Sequence, residues 1–169
     1  MPLGGSGGGG GSPAGWPLTF FSYTNNTGTG VTPNAANATT AIGFSLPFSL
    51  TFAHITCFIL VADGANLYDF GIYNSAGTLV ADIGAQHLPS TGLLTFATVQ
   101  GSKTINAGLY LFGWTGNATT ASLSGDASNG AFNWFFSTNV AASVGGGLPA
   151  SIGAITPSVA RLNIAFALS

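Results

Sequence analysis

The chain has 169 residues and only six formal charges, four Asp with Lys103 and Arg161, so that 4% of residues are charged while 46% are hydrophobic; an ordinary globular domain is about 25% charged. That balance excludes intrinsic disorder, which needs low hydrophobicity and high net charge. A net charge of −2 gives no basic stripe for nucleic acid.

Residues 4–12 are Gly and Ser alone, a run with nothing to bury. It reads either as an added linker or as a native arm threading against neighbouring subunits. Residues 1–21 are therefore taken as a Gly-rich N-terminal arm, with Trp16, Phe20 and Phe21 as candidate anchors. The start lacks a basic region followed by an apolar one, so no signal peptide is expected. Residues 22–41 are rich in Ser, Thr, Asn, Gly and Ala and read as a polar loop or linker.

From residue 42 to 169 the chain reads as one all-β domain. Strands are expected over 42–48, 50–62, 67–74, 78–83, 92–99, 107–115, 118–124, 131–137 and 159–168, rich in Phe, Leu, Ile, Val, Thr and Tyr. Asp63-Gly64, Ser75-Ala76-Gly77, Thr115-Gly116-Asn117 and Ser128-Asn129-Gly130 are turn-like. No segment keeps a 3.6-residue apolar period with caps. About eight antiparallel strands of this length make a two-sheet sandwich of jelly-roll type. The longest apolar run, residues 55–62, is far short of the about 20 residues of a membrane span.

Several strands are apolar on both faces. Leu109 and Leu111 oppose Tyr110, Phe112 and Trp114, and Phe52, Phe58 and Leu60 oppose Ile55, Ile59 and Val61. The last strand alternates more cleanly, with Leu162, Ile164, Phe166 and Leu168 on one side. A sandwich in water needs one apolar face per strand, so the second must be covered, by an arm or by another subunit. A homo-oligomer is expected. The loop 138–158 is long for a compact domain, as functional loops often are, and its Gly145-Gly146-Gly147 also suits it to wrapping a neighbour.

The residues that carry chemistry are sparse. Glu is absent, and His54 and His87 sit in no catalytic pattern; His54 reads as a hydrogen-bonded core or interface residue and His87 as exposed. No Gly-x-Ser-x-Gly elbow occurs, so an enzyme is not expected, nor a cofactor. Cys57 lies in the most apolar run and reads as a buried small hydrophobe. Asp63, Asn66 and Asp69 are the oxygen ligands a calcium ion would use, but the EF-hand order is missing and turns use Asp and Asn anyway. The triplets beginning at Asn25, Asn37 and Asn117 read as ordinary polar loop residues. Tyr68, Tyr73, Trp114 and Trp134 are candidate glycan-stacking rings, with core or interface burial as the competing role.

Residues 68–81, Tyr-Asp-Phe-Gly-Ile-Tyr-Asn-Ser-Ala-Gly-Thr-Leu-Val-Ala, resemble a recurring unit of bacteriophage virion proteins. In that unit a strand ending in Gly-Ile-Tyr enters an Asn/Asp-x-x-Gly turn and a short Leu-containing strand. Residues 107–112, Ala-Gly-Leu-Tyr-Leu-Phe, resemble its companion strand, and residues 41–48 the strand that opens the domain. The resemblance covers roughly residues 40–125. It implies a jelly-roll β-sandwich from a tail fibre, spike or head-decoration protein, trimeric, bound to other virion proteins and to a host-surface glycan, on the virion surface. The alternative with the same fold is a secreted or cell-surface bacterial carbohydrate-binding module.

Overall fold

The computed structural model describes residues 18–19, 30–33, 35–126, 136–137, 144–153, 163–164 and 166–169. Among them every regular element is a strand: β1 Leu18–Thr19, β2 Gly30–Val31, β3 Thr40–Leu46, β4 Leu50–Phe52, β5 His54–Val61, β6 Asp63–Asn74, β7 Leu79–Asp82, β8 Gln86–Leu88, β9 Gly92–Ala97, β10 Lys103–Ile105, β11 Gly108–Gly116, β12 Ser122–Asp126, β13 Phe136–Ser137, β14 Asn163–Ile164 and β15 Phe166–Leu168. No described helix is long and apolar enough to cross a membrane.

The strands form an antiparallel sandwich. One sheet runs β1-β15-β5-β12-β14, with β9 also pairing β5 and β2 pairing β12. The other runs β13-β3-β11-β6-β7, with β8 pairing β6. Strands β4 and β10 make a separate two-stranded ribbon. The strand count exceeds the expected eight because short edge pairings add strands and because the expected strand 50–62 is broken. At the break, the amides of Ala53 and His54 both donate to the Ser169 carbonyl, at 2.7 and 2.8 Å. This irregularity shifts the side-chain phase, so that Phe52 and Ile55, opposed in a regular strand, both reach the core.

Segments read as arm and linker also contribute to the sandwich. Leu18–Thr19 pairs with Leu168 and Ala167, and Val31, paired with Leu123, is buried. Ala38, Thr39 and Thr40 are buried as well. The sandwich therefore takes in residues before 42.

Between the sheets lies a continuous aromatic stack. Tyr68 stacks on Trp114 with ring centroids 5.7 Å apart, Trp114 lies 6.0 Å from Phe70, and Phe70 lies 6.4 Å from Phe112. Phe112 stacks at 4.4 Å on Phe166 of the opposite sheet, and Phe166 meets the edge of Phe44 at 5.2 Å. Ile55, Cys57 and Ile59 fill the floor beneath it. Such contacts add to the hydrophobic gain of burial.

A second apolar cluster, Ala41, Tyr73, Leu111 and Ile152 with Leu79 and Leu148, covers the outer face of the β3-β11-β6 sheet. The second face of these strands is thus covered by the protein's own segment 144–153. Within that segment, Gly145 and Gly146 have φ of 61° and 81°, and Gly147 donates to the Val144 carbonyl at 3.1 Å. Positive φ at both central residues is a type I′ turn, which Gly adopts without strain. Of loop 138–158, the described part 144–153 lies over the protein's own sheet.

Phe112 touches both halves of the aromatic stack. Phe112→Ala is expected to cost about 3–5 kcal/mol of stability, measured by urea unfolding; a loss below about 1 kcal/mol would show that the stack is not what joins the sheets.

Candidate functional site

Two buried carboxylates and the groups around them are the chemically distinctive features of the described residues. The first is a polar knot at the start of β6. Asp63 Oδ1 accepts the amides of Ala65 and Asn66 at 3.0 and 3.1 Å. Its Oδ2 accepts the Asn66 side-chain amide at 2.8 Å and the Tyr68 hydroxyl at 2.7 Å. The Tyr68 oxygen in turn accepts the Ala121 amide at 3.1 Å. The Asn66 amide and the Tyr68 hydroxyl, with the two backbone amides, hold the Asp63 carboxyl well below the usual carboxylate range. Burial, reinforced by the bond to Asp63, pushes the Tyr68 hydroxyl up.

The second lies further along the same strand, beyond the irregularity between Asp63 and Tyr68. Asp69 Oδ2 accepts the Leu148 amide at 2.8 Å, while Asp69 Oδ1 is buried and has no hydrogen-bond partner. Two residues along the same face, Gly71 pairs with Gly113 of β11 on one side and Asp82 of β7 on the other. A Cβ at Gly71 would stand 2.4 Å from the Ala81 oxygen and 2.9 Å from Leu148 Cδ1. The Gly71–Gly113 pair is thus a furrow into which Leu148 fits. The Tyr73 hydroxyl donates to the Pro149 carbonyl at 2.8 Å, Leu79 donates to Ala150 at 3.0 Å and Ile152 to Gly77 at 2.9 Å. Burial, with the Asp82 carboxyl nearby, pushes Asp69 up to about 8 against the pull of the Leu148 amide. Burial also pushes up the Tyr73 hydroxyl.

The residues singled out from sequence fall as follows. Tyr68, Tyr73 and Trp114 are each fully buried. Their faces pack on other side chains, so none is a sugar-stacking ring. The aromatic pattern alone could not separate the two roles, because core strands and sugar sites use the same residues. Trp16, Phe20, Phe21 and Trp134 lie outside the described residues. Asp63 and Asn66 are brought together, but Asp69 is not, since its carboxyl is engaged with the Leu148 amide instead. Both Asp63 oxygens already take two donors each, so the calcium set is not assembled. Among the described residues no cluster of three His, Cys, Asp or Glu could hold a metal.

Cys57 is buried, which pushes its thiol up. His87 is exposed, its Nδ1 3.0 Å from the Asn66 carbonyl oxygen. His54 corrects the core reading: it heads β5 and is exposed. In the hairpin, Asn74 Oδ1 accepts the amides of Ala76 and Thr78, each at 3.0 Å, while Gly77 takes φ of 79°. The sequence missed the pairing of Asp69 and Tyr73 with 148–149. A lone Asp between Tyr68 and Phe70, in the middle of an apolar strand, was the signal available for it.

No family model, no curated protein and no solved structure matches the chain.

The two carboxylates link stability to pH in opposite directions. Asp69 sits near 3.8 when unfolded and about 8 in the fold, so its contribution is whole below about pH 4 and is lost as pH rises toward 8. Asp63 is depressed in the fold, so its contribution is present above about pH 4 and lost as pH falls. Thermal melts by circular dichroism are expected to peak near about pH 4–5. Asp69→Asn is expected to flatten the decline above the peak and Asp63→Asn the decline below it. A melting temperature that climbs steadily from pH 4 to 8 contradicts this assignment.

Proposed function

We propose that this chain is a non-enzymatic structural subunit that works as a homo-oligomer on the surface of a phage particle, as a fibre, spike or head-decoration protein. The observation that carries the assembly reading is where the charges are. Asp63 and Asp69 are buried, and Asp82 and Lys103 are half-buried. Among the residues whose burial is described, no charged side chain is exposed. The exposed positions include Leu93 at 70%, Val99 at 68% and Leu109 at 60%. Leu93 sits directly opposite the half-buried Phe58 on β5. A surface of this kind suits burial against other subunits better than solution as a free monomer.

The virion part of the proposal rests on the resemblance of residues 68–81 and 107–112 to phage surface domains, together with the antiparallel sandwich that contains them. The same resemblance suggests jelly-roll connectivity, a trimer and attachment to other virion proteins. Glycan binding is not part of the proposal, because the three described candidate rings have no exposed face. The carbohydrate-binding module loses three of its four candidate rings, Trp134 lying outside the described residues.

Native mass spectrometry at micromolar concentration is expected to show a defined oligomer. Uncharged contacts predict that it persists in about 1 M salt, where the screening length is about 3 Å. Leu93→Lys is expected to weaken it. A monodisperse monomer, or dissociation by salt alone, would falsify the assembly reading. Capsid and tail genes beside this one are expected for a virion subunit, whereas a glycoside hydrolase neighbour would favour the module.

A further inference from the structure

Segment 144–153 and the sheet beneath it meet through one titratable group. Asp69 lies under the segment with Oδ2 accepting the Leu148 amide and Oδ1 buried without a partner. A buried carboxylate oxygen that receives no hydrogen bond is costly to leave charged. A proton on the carboxyl removes the charge, and the neighbouring Asp82 carboxyl is the acceptor available to the new O–H.

The surroundings do not supply a countercharge. From β7, Asp82 contributes a second carboxyl, itself engaged by the Gln100 side chain. From β6, Tyr73 donates its hydroxyl to Pro149 and so faces the segment. From β11, the residue paired with Asp69 is Thr115. Segment 144–153 carries no titratable side chain. Every charge that ionised Asp69 meets from these elements is therefore of its own sign.

We propose that segment 144–153 is an acid-locked strap, held on the sheet while Asp69 is a neutral carboxyl and released when Asp69 ionises. Lifting the strap lets water reach the carboxylate, and one proton passes from Asp69 to solvent. The remaining fastenings are uncharged: the Tyr73–Pro149 and Leu79–Ala150 bonds, the Ile152–Gly77 bond, and Leu148 in the Gly71–Gly113 furrow. They set how far the strap opens at any pH, and Asp69 sets how that opening depends on pH. Release uncovers the furrow together with Ala41, Leu111 and Tyr73, the apolar cluster that Ile152 and Leu148 otherwise cover. The proposal concerns the folded subunit alone and stands whether or not the phage reading does.

The test is amide hydrogen exchange followed by NMR across pH 5 to 9, with each rate divided by its intrinsic value. The amides to follow are Leu148, Ile152 and Leu79, against β5 amides as the reference for global unfolding. The three amides are expected to be less protected than β5. Their protection should fall with pH by up to about tenfold per unit and level off above about pH 8. Asp69→Asn keeps an acceptor for Leu148 without the titration, so its profile is expected to be flat. Asp82→Asn removes the like charge, so the levelling-off should move to lower pH. Tyr73→Phe is expected to lower protection at every pH while keeping the slope. A flat wild-type profile, an unchanged slope in Asp69→Asn, or strap protection equal to that of β5 at every pH overturns the proposal. If Asp69→Asn does not fold, the wild-type profile and the Asp82→Asn shift decide it.

Discussion

Strand β6 buries side chains on both of its faces, and the rest of the structure is arranged to cover it. Residues 68–73 are buried in succession, whereas an antiparallel strand commonly keeps one face wet. Tyr68, Phe70 and Ile72 point into the sandwich and join the aromatic stack with Trp114, Phe112 and Phe166. Asp69, Gly71 and Tyr73 point the other way, where, among the described residues, the short segment 144–153 is the cover. That segment must lie close to the backbone and satisfy the polar groups it hides. Glycine at 71 and 113 supplies the close approach, and Gly146, whose Cβ would stand 2.4 Å from the Leu67 oxygen, supplies it from the segment's side. Asp69 and Tyr73 supply the bonds.

Most of the described strands and the hairpin are legible from sequence because their signals are local, while the expected strands 131–137 and 159–168 fall largely outside the described residues. Asn74 and Gly77 announce a turn, and Asn74 anchors it through its side chain while Gly77 takes the positive φ. The break at Ala53 was not legible. It depends on the carbonyl of Ser169, more than one hundred positions away, and no local pattern records it. The burial of residues on both faces of β6 and β11 was legible, but its cover was not. Small residues in 144–153 permit close packing without saying against what. Of the two roles open to Tyr68, Tyr73 and Trp114, core burial is the one the structure shows, and sequence leaves them undecided for a related reason. A ring alternating with apolar neighbours fits a core strand, and only the opposing sheet tells whether its face is free.

The two buried aspartates are the same residue six positions apart, and their surroundings set them in opposite states. Asp63 receives two donors on each oxygen and stays ionised, which makes it the knot that ties the entry of β6 to Tyr68. Asp69 takes the Leu148 amide on one oxygen, is buried beside the Asp82 carboxyl, and favours its neutral form. Donors dominate at Asp63, whereas burial and the neighbouring Asp82 carboxyl dominate at Asp69. In a chain with four acidic side chains, placing two of them inside leaves little for the surface. Contacts made from such a surface must come from shape, apolar packing and uncharged hydrogen bonds. Those forces are short-ranged and depend weakly on salt, so recognition here is settled on contact, by fit, and not by electrostatic steering from a distance.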